Sequence, residues 1–106
     1  MNRIVKKIIL AVVLTSASAI SFTAVAAGDA AAGKSKAALC AGCHGADGIS
    51  MSPDIPNLKG QKAGYLVKAI KDYKSGARKN PMMATVVGMI ADGDEEDLAA
   101  YYSSLK

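Results

Sequence analysis

Cys40-Ala41-Gly42-Cys43-His44 is the stretch of this 106-residue chain that decides its fold. Two cysteines separated by two residues, with a histidine directly after them, form the pattern of covalent haem attachment. On a helix the two thiols lie about one turn apart, so each can add to one vinyl group of the same porphyrin. The adjacent His44 then supplies a nitrogen ligand to the iron. The motif therefore predicts one haem c, bound through Cys40 and Cys43.

Two other classes of site contain paired cysteines, and the rest of the sequence disfavours both. A thioredoxin-like dithiol follows a strand in a βαβ unit, and no alternating strand pattern precedes Cys40. A structural zinc site needs four ligands, whereas the chain has two cysteines and one histidine, all within the motif. Covalent haem is therefore the interpretation that we carry forward.

The N-terminus has the three parts of an export signal. Basic residues begin it, an apolar run follows over 8–14, and Ala24-Val25-Ala26 provides a small-x-small cleavage site. The alternative is an uncleaved membrane anchor, but the serines and threonines after residue 14 make the segment too polar for a span of about 20 apolar residues. We predict a cleaved signal peptide over 1–26, one domain over 27–106, and a soluble protein in the periplasm.

The net charge of +4 is mostly a property of the signal. Three of the 13 basic side chains lie within it, and the nine acidic ones nearly balance the remainder, so we expect no nucleic-acid partner. An asymmetry persists between a basic middle and an acidic segment over 92–97. It represents either two solvated helix faces or a docking surface near the haem edge, and its basic members are Lys59, Lys62, Lys68, Lys71, Lys74, Arg78 and Lys79.

Helical periodicity predicts an all-α fold of about four short helices. The first three are expected over about 30–39, 62–75 and 81–89. The fourth is expected to begin at a capping box formed by Asp92 and Glu95, with the intervening glycine weakening its first turn.

Apolar residues mark one face of each of two helices, and the segment over 45–61 is expected to be a loop because glycine and proline interrupt it. The mature chain has about 80 residues and no tryptophan, which makes a thin core. A buried haem would supply the missing apolar surface. The predicted faces are Tyr65, Leu66, Ala69, Ile70 and Tyr73 in one helix, and Leu98, Tyr101, Tyr102 and Leu105 in the other.

The iron needs a second axial ligand if the protein only transfers electrons. His44 is the only histidine, so the candidates are the thioethers of Met51, Met82, Met83 and Met89, with lysine a weaker alternative. Met51 follows His44 too closely to reach the opposite face of the porphyrin, whereas Met82 and Met83 lie far enough along the chain. If both fill core gaps instead, the iron keeps an open site.

Several separated motifs, in a fixed order, resemble the small monohaem class I cytochromes c of the bacterial c-553 type. They are Gly33-Lys34, CAGCHG, IPNLKGQ with Tyr65-Leu66, RKNPMM and DLAAYY. The resemblance covers almost the whole of the mature chain and implies the class I cytochrome c fold.

The resemblance also implies a role for each matching residue around the proximal ligand. Cys40 and Cys43 would take the two thioether links, and His44 would be the proximal ligand of the iron. The carbonyl of Pro56 would accept a hydrogen bond from the other ring N–H of that histidine. Leu58 would pack on the porphyrin.

On the opposite face, the resemblance favours Met83 as the sixth ligand, with Met82 as the runner-up. It further implies that Gly33 allows close approach of the first and last helices, at Leu98 and Tyr101. The implied function is that of a single-haem electron carrier and not of an enzyme. Its partners would be a donor reductase and an acceptor oxidase or reductase, met in short-lived contacts, without membrane insertion after signal cleavage. The alternatives are an open-site haem protein (a small peroxidase or gas binder) and a haem subunit of a larger respiratory complex.

Overall fold

The computed structural model describes residues 28–106, together with Ser18 alone in the preceding segment. The predicted signal peptide and its cleavage site lie outside the described residues. Residues 28–106 contain no strand, and their helices confirm the expected all-α class. None of these helices has the length and hydrophobicity of a membrane span. In chain order they are α1 (Ala30–Lys36), α2 (Ala38–His44), α3 (Ala63–Ser75), α4 (Pro81–Val87) and α5 (Asp94–Ser104).

The first two helices replace the single helix that we expected over 30–39. A turn at Ala37 separates them, although the hydrogen bonding is nearly continuous: Ala37 N–H donates to the Gly33 carbonyl, and its own carbonyl accepts from Cys40 and Ala41. The expected helix ran over about 30–39 into the cysteine motif, and α2 continues through that motif to His44. The whole haem-attachment motif therefore lies on one short helix.

The first and last helices cross in direct backbone contact at Gly33, which confirms the close approach that the resemblance implied. A Cβ atom at this position would lie 1.9 Å from the Asp97 carbonyl oxygen and 2.9 Å from Tyr101 Cβ. No side chain fits between two backbones at that separation. The crossing places Leu98 and Tyr102 of α5 in the buried core, together with Ala37, Leu66 and Ala99.

A charge cluster ties the same two helices together beside the crossing. Lys36 Nζ lies 2.7 Å from Asp94 Oδ1 and also contacts Asp97 Oδ2. The other oxygen of Asp97 accepts the backbone N–H of Asp29 at 2.8 Å. Hydrogen bonds from Lys36 hold the pKa values of both carboxyl groups below their ordinary range, and the two carboxylates in turn raise the pKa of Lys36. The cluster therefore stabilises the fold in its charged form.

The remaining helices begin and end where local chemistry requires. Helix α3 ends at Gly76, whose φ of 82° lies in the left-handed region. Asn80 begins α4 by accepting the Met83 N–H on its side chain at 3.0 Å. The last helix begins at Asp94 and not at the capping box that we predicted from Asp92.

The start of α5 also corrects the expectation for Gly93. This glycine is the residue before the helix, with a φ of 95° that side chains rarely adopt. It therefore permits the turn into α5 and does not weaken a helical turn. The Gly93 N–H donates to Glu95 Oε2 at 3.1 Å, so the acidic side chain caps the turn from inside the helix.

We expect Lys36→Met to lower the melting temperature near neutral pH by on the order of 2–5 °C, because it leaves two carboxylates without their cation. Carboxyl groups with depressed pKa values contribute stability that is present above their ordinary pKa and lost as the pH falls through the lower folded value. The difference from wild type should therefore shrink as the pH falls below about 3.8. Thermal unfolding followed by circular dichroism over a pH series measures this.

Lys34→Met is the matched control, since Lys34 lies two residues away on α1 and forms no ion pair within residues 28–106. Equal melting temperatures for the two variants at neutral pH would show that the cluster contributes nothing to stability.

Candidate haem site

The two thiols and the imidazole of the attachment motif lie on α2 and differ in how far they are buried. Cys40 is partly buried against the core and Cys43 is exposed, and neither forms a disulfide. Burial raises the pKa of the Cys40 thiol, and the nearby Tyr102 hydroxyl lowers it to a smaller extent. His44 is buried, with 7% of its surface exposed. The helix therefore faces the interior with one thiol and the imidazole.

The His44 ring is oriented by the loop that follows α2. Nδ1 of His44 lies 2.8 Å from the carbonyl oxygen of Pro56. A carbonyl oxygen only accepts hydrogen bonds, so Nδ1 carries the proton. In the neutral ring Nε2 is then the lone-pair nitrogen, which is the tautomer that a metal ligand requires. Pro56 is the residue for which the resemblance implied this contact.

Glycines and local hydrogen bonds hold the loop in place behind His44. Gly45 ends α2 with a φ of 89°. The Gly48 carbonyl accepts the backbone N–H groups of Leu58 and Lys59 at 2.8 and 3.0 Å. The side chain of Asn57 accepts the Ser50 N–H at 2.7 Å. These contacts fold the loop back on itself, so that the Pro56 carbonyl points at the histidine.

A cavity of about 640 Å³ opens beside His44, within the range of cofactor sites in proteins. Four helices and the loop line it, and most of the lining is apolar. The predicted apolar face of α3 forms one wall, which confirms that expectation: Tyr65, Leu66, Ala69, Ile70 and Tyr73 all line the cavity. The other walls include Cys40, Cys43, Pro56, Leu58, Met82, Met83, Val87, Leu98 and Tyr102.

The four methionines considered as sixth ligand separate clearly by position. Met82 and Met83 both line the cavity, whereas Met51 and Met89 do not. Met51 is fully exposed and Met89 is 63% exposed. Met82 is itself 62% exposed, while Met83 is half-buried and its backbone N–H is fixed by the Asn80 cap. The geometry brings only the adjacent pair to the site.

Arg78 is a charged residue of the cavity that was not assigned to the site from the sequence. It was counted among the basic residues of the middle segment, and its position in RKNPMM, four residues before Met82, was the available signal. Its guanidinium Nη1 lies 3.3 Å from the Tyr65 hydroxyl, and its Cζ lies 4.8 Å from the centre of the Tyr73 ring. Both tyrosines also line the cavity.

The donor set and the cavity fit a covalently held haem. A thiol on the cavity wall, a second thiol one turn away, an imidazole with a lone pair at Nε2 and a thioether surround one apolar space. Within residues 28–106 no group of three or more histidine, cysteine and acidic side chains is arranged to hold a metal ion without a porphyrin. A covalently attached haem would use all four groups: the thiols of Cys40 and Cys43 for attachment, and the imidazole and the thioether as iron ligands.

Comparison with known proteins places these features in a family. The family model described as cytochrome c matches residues 30–106. Cytochrome c4 of Pseudomonas aeruginosa is 43% identical over 106 residues, which are the whole of this chain and 50% of that protein. Cytochrome c-554(548) of Halomonas halodenitrificans is 49% identical over 81 residues, which are 74% of this chain and 98% of that protein.

A solved structure agrees with both relatives. The crystal structure of reduced recombinant cytochrome c4 from Pseudomonas stutzeri superposes with a TM-score of 0.71 at 44% identity, over 76% of this chain and 47% of that one. The chain thus spans about half the length of the cytochrome c4 proteins that it matches. Its two cysteines occupy the positions of the haem-attachment motif. The chain belongs to the cytochrome c family, and its cofactor is covalent haem c.

Proposed function

We propose that this protein carries single electrons between redox proteins, with a haem held by Cys40 and Cys43 and with His44 and Met83 as its axial ligands. The bound haem supplies a one-electron ferrous–ferric couple. The observation that carries the proposal is the hydrogen bond from His44 Nδ1 to the Pro56 carbonyl, which leaves Nε2 available beside a cavity that Met83 also lines.

The two proposed axial ligands come from elements that are held independently. The loop hydrogen bond fixes His44 on one side, and the Asn80 cap fixes the backbone of Met83 on the other. Ligands that stay in place in both redox states keep the structural change on electron transfer small. A soft thioether ligand also favours the reduced iron and raises the reduction potential. These features support a carrier that binds no substrate at its metal.

The sixth ligand can be tested by comparing Met83→Ala with Met82→Ala in the haem-loaded protein. We expect wild type and Met82→Ala to give a sharp reduced α-band and a weak far-red sulfur-to-iron band when oxidised. Met83→Ala should lose the far-red band, become high-spin and bind carbon monoxide, because it opens one face of the iron. Visible absorption spectra of both redox states measure this.

The two variants remove the same side chain from adjacent positions, so they control for each other. Loss of the far-red band in Met82→Ala alone would make Met82 the ligand. A wild-type protein that is high-spin and binds carbon monoxide would contradict the carrier function and favour an open-site haem protein.

We further propose that partner docking depends on the lysines that have no intramolecular ion pair. Three lysines of α3 form such pairs: Lys68 with Asp72, Lys71 with Glu96, and Lys74 with Asp92 and Glu95. The other three lysines of the basic middle, Lys59, Lys62 and Lys79, form none within residues 28–106.

The two sets differ in what they present to an approaching partner. A paired ammonium is largely offset by its carboxylate, whereas an unpaired one attracts an acidic surface. Arg78, Asn80 and Gln61 line the cavity. Lys79 lies between the first two in the chain, and Lys62 directly follows Gln61. We therefore propose that Lys59, Lys62 and Lys79 attract acidic surfaces of the redox partners.

The docking proposal predicts a difference between two triple variants of equal charge change. Replacing Lys59, Lys62 and Lys79 by Gln should slow oxidation by the anion hexacyanoferrate(III) about two- to fivefold at low ionic strength. Replacing Lys68, Lys71 and Lys74 by Gln should change the rate less. Stopped-flow kinetics over a salt series measure both, and the difference should vanish as salt screens the charges. Equal slowing by the two variants would leave net charge, and not this surface, as the cause.

We also propose that residues 1–26 direct export to the periplasm and are removed. The basic start, the apolar run and the small-x-small site support this. Further support comes from Gly28, where a Cβ atom would lie 2.0 Å from the Glu96 carbonyl oxygen, so the chain already packs against α5 directly after the proposed cleavage site. Gly28, which would be the second residue of the mature chain, is thus part of the packed domain.

Expression of the full chain in a bacterium with periplasmic haem-attachment machinery tests the export proposal. Intact-mass spectrometry of the periplasmic fraction should give the mass of residues 27–106 plus one haem. A mass that retains residues 1–26 would contradict cleavage and favour an anchored subunit of a larger complex.

A further inference from the structure

Glu95 is a buried charged side chain to which the electron-carrier function assigns no role. Only 4% of the residue is exposed, and it is the one acidic residue among the buried residues of 28–106. Burying a carboxylate costs several kcal/mol unless a cation and hydrogen-bond donors accompany it. An apolar side chain would fill the same space without that cost. The groups that the carboxylate binds, and not packing, therefore explain why it is there.

The Glu95 carboxylate joins two segments of the chain. Its Oε2 accepts the Gly93 N–H at 3.1 Å and lies 3.5 Å from Nζ of Lys74, in the last turn of α3. The Lys74 side chain is itself only 19% exposed, whereas Asp92, its other partner, is fully exposed. Solvent screens an exposed ion pair more than a buried one. The pair with Glu95 is therefore the stronger link between α3 and the start of α5.

The turn that Glu95 holds, residues 88–93, connects α5 to the helix that carries Met83. Three backbone N–H groups of this turn donate to carbonyl groups no more than four positions away along the chain. These bonds run from Gly88 to Ala84, from Met89 to Val86 and from Ile90 to Val87. Bonds of such short range shape the turn, but they do not attach it to the rest of the protein. Attachment to α3 comes through Lys74, by way of Glu95.

Helix α4 has few anchors of its own. It is seven residues long, and Val87 is its one buried residue. The cap from Asn80 to the Met83 N–H lies within the same segment, and Ile90 packs against the core just after the helix. A short element with little buried surface opens locally at a lower free energy than the whole domain unfolds. The position of α4 therefore depends on how firmly the following turn is held.

We propose that Glu95 is a positioning residue for the sixth ligand: by holding the 88–93 turn against α3, it slows the dissociation of Met83 from the haem iron. The inference rests on the proposed function, in which Met83 is an axial ligand. It adds a residue outside the cavity lining that keeps this ligand in place while the carrier changes redox state.

The test is the binding of imidazole to the oxidised, haem-loaded protein, followed by stopped-flow absorption. Imidazole can take the sixth position only after Met83 has left it, so at high imidazole concentration the observed rate levels off at the rate of opening. Glu95→Gln keeps the shape of the side chain but removes its charge. It should retain the far-red band before imidazole is added and raise the plateau rate about three- to tenfold. A plateau rate equal to that of wild type would overturn the proposal.

Glu96→Gln is the matched control. It makes the same substitution at the next position, and the Glu96 carboxylate pairs with Lys71 of the same helix α3 without bonding to the 88–93 turn. This variant should keep the plateau rate of wild type. An increase as large as that of Glu95→Gln would make the loss of negative charge, and not the contact with Gly93, the cause, and would overturn the proposal.

Lys36→Met separates positioning from general loss of stability. It is expected to lower the melting temperature by breaking the cluster between α1 and α5, but it leaves the contacts of Glu95 intact. It should therefore bind imidazole with the plateau rate of wild type. If this variant raised the plateau rate as much as Glu95→Gln does, opening would follow overall stability, and Glu95 would have no specific role.

A measurement on wild type keeps the test decisive if Glu95→Gln does not assemble with haem. Hydrogen exchange of the Gly93 N–H in the reduced protein, followed by NMR, should be slow, because a buried carboxylate holds this amide. Exchange at the rate of an unstructured glycine would overturn the proposal. The far-red band of wild type reports ligation by methionine independently. If that band is present and Glu95→Gln has no effect, this inference alone fails, whereas absence of the band contradicts the proposed axial ligands.

Discussion

The hydrogen bond between the His44 ring and the Pro56 carbonyl is the contact on which the site depends. It joins the end of α2 to the far side of the loop, and it satisfies a buried polar ring that would otherwise lack a partner. Without it the imidazole could rotate or exchange tautomers, and Nε2 would no longer be fixed toward the cavity. The glycines and the Asn57 side chain that fold the loop therefore serve the orientation of one nitrogen atom.

Sequence reasoning succeeded where a pattern has one physical meaning. The spacing of Tyr65, Leu66, Ala69, Ile70 and Tyr73 predicted one face of α3, and that face lines the cavity. It failed where the outcome depends on backbone geometry or on distant neighbours. The amino-acid sequence does not determine the sign of φ at Gly93. It also contains no signal that Ala37 forms a turn between two helices. Arg78 was visible as a charge, but its place at a cavity mouth depends on where α3 and the following segment fold.

The role of the acidic cluster at the start of α5 also depends on distant neighbours in the fold. As sequence, the contrast between the basic middle and the acidic segment over 92–97 suggested either two solvated helix faces or a docking surface near the haem edge. In the structure these carboxylates occupy the first turn of a helix, where the helix dipole favours negative charge. They bind Lys36 of α1 as well as Lys71 and Lys74 of α3. The acidic half of the charge asymmetry is thus used within the fold.

The crossing of α1 and α5 has a consequence for the order in which the molecule is made. Asp29 and Asp97, joined by a backbone-to-side-chain hydrogen bond, are 68 positions apart, so the two ends of the domain meet only when nearly the whole polypeptide is present. Closing a loop of this length costs chain entropy, and the contact cannot form until the C-terminal segment is present. If the chain crosses the membrane N-terminus first, the contact between α1 and α5 cannot form until the last helix has been delivered. During that interval Cys40 is not yet covered by Tyr102, and its sulfur is accessible for bond formation with a vinyl group.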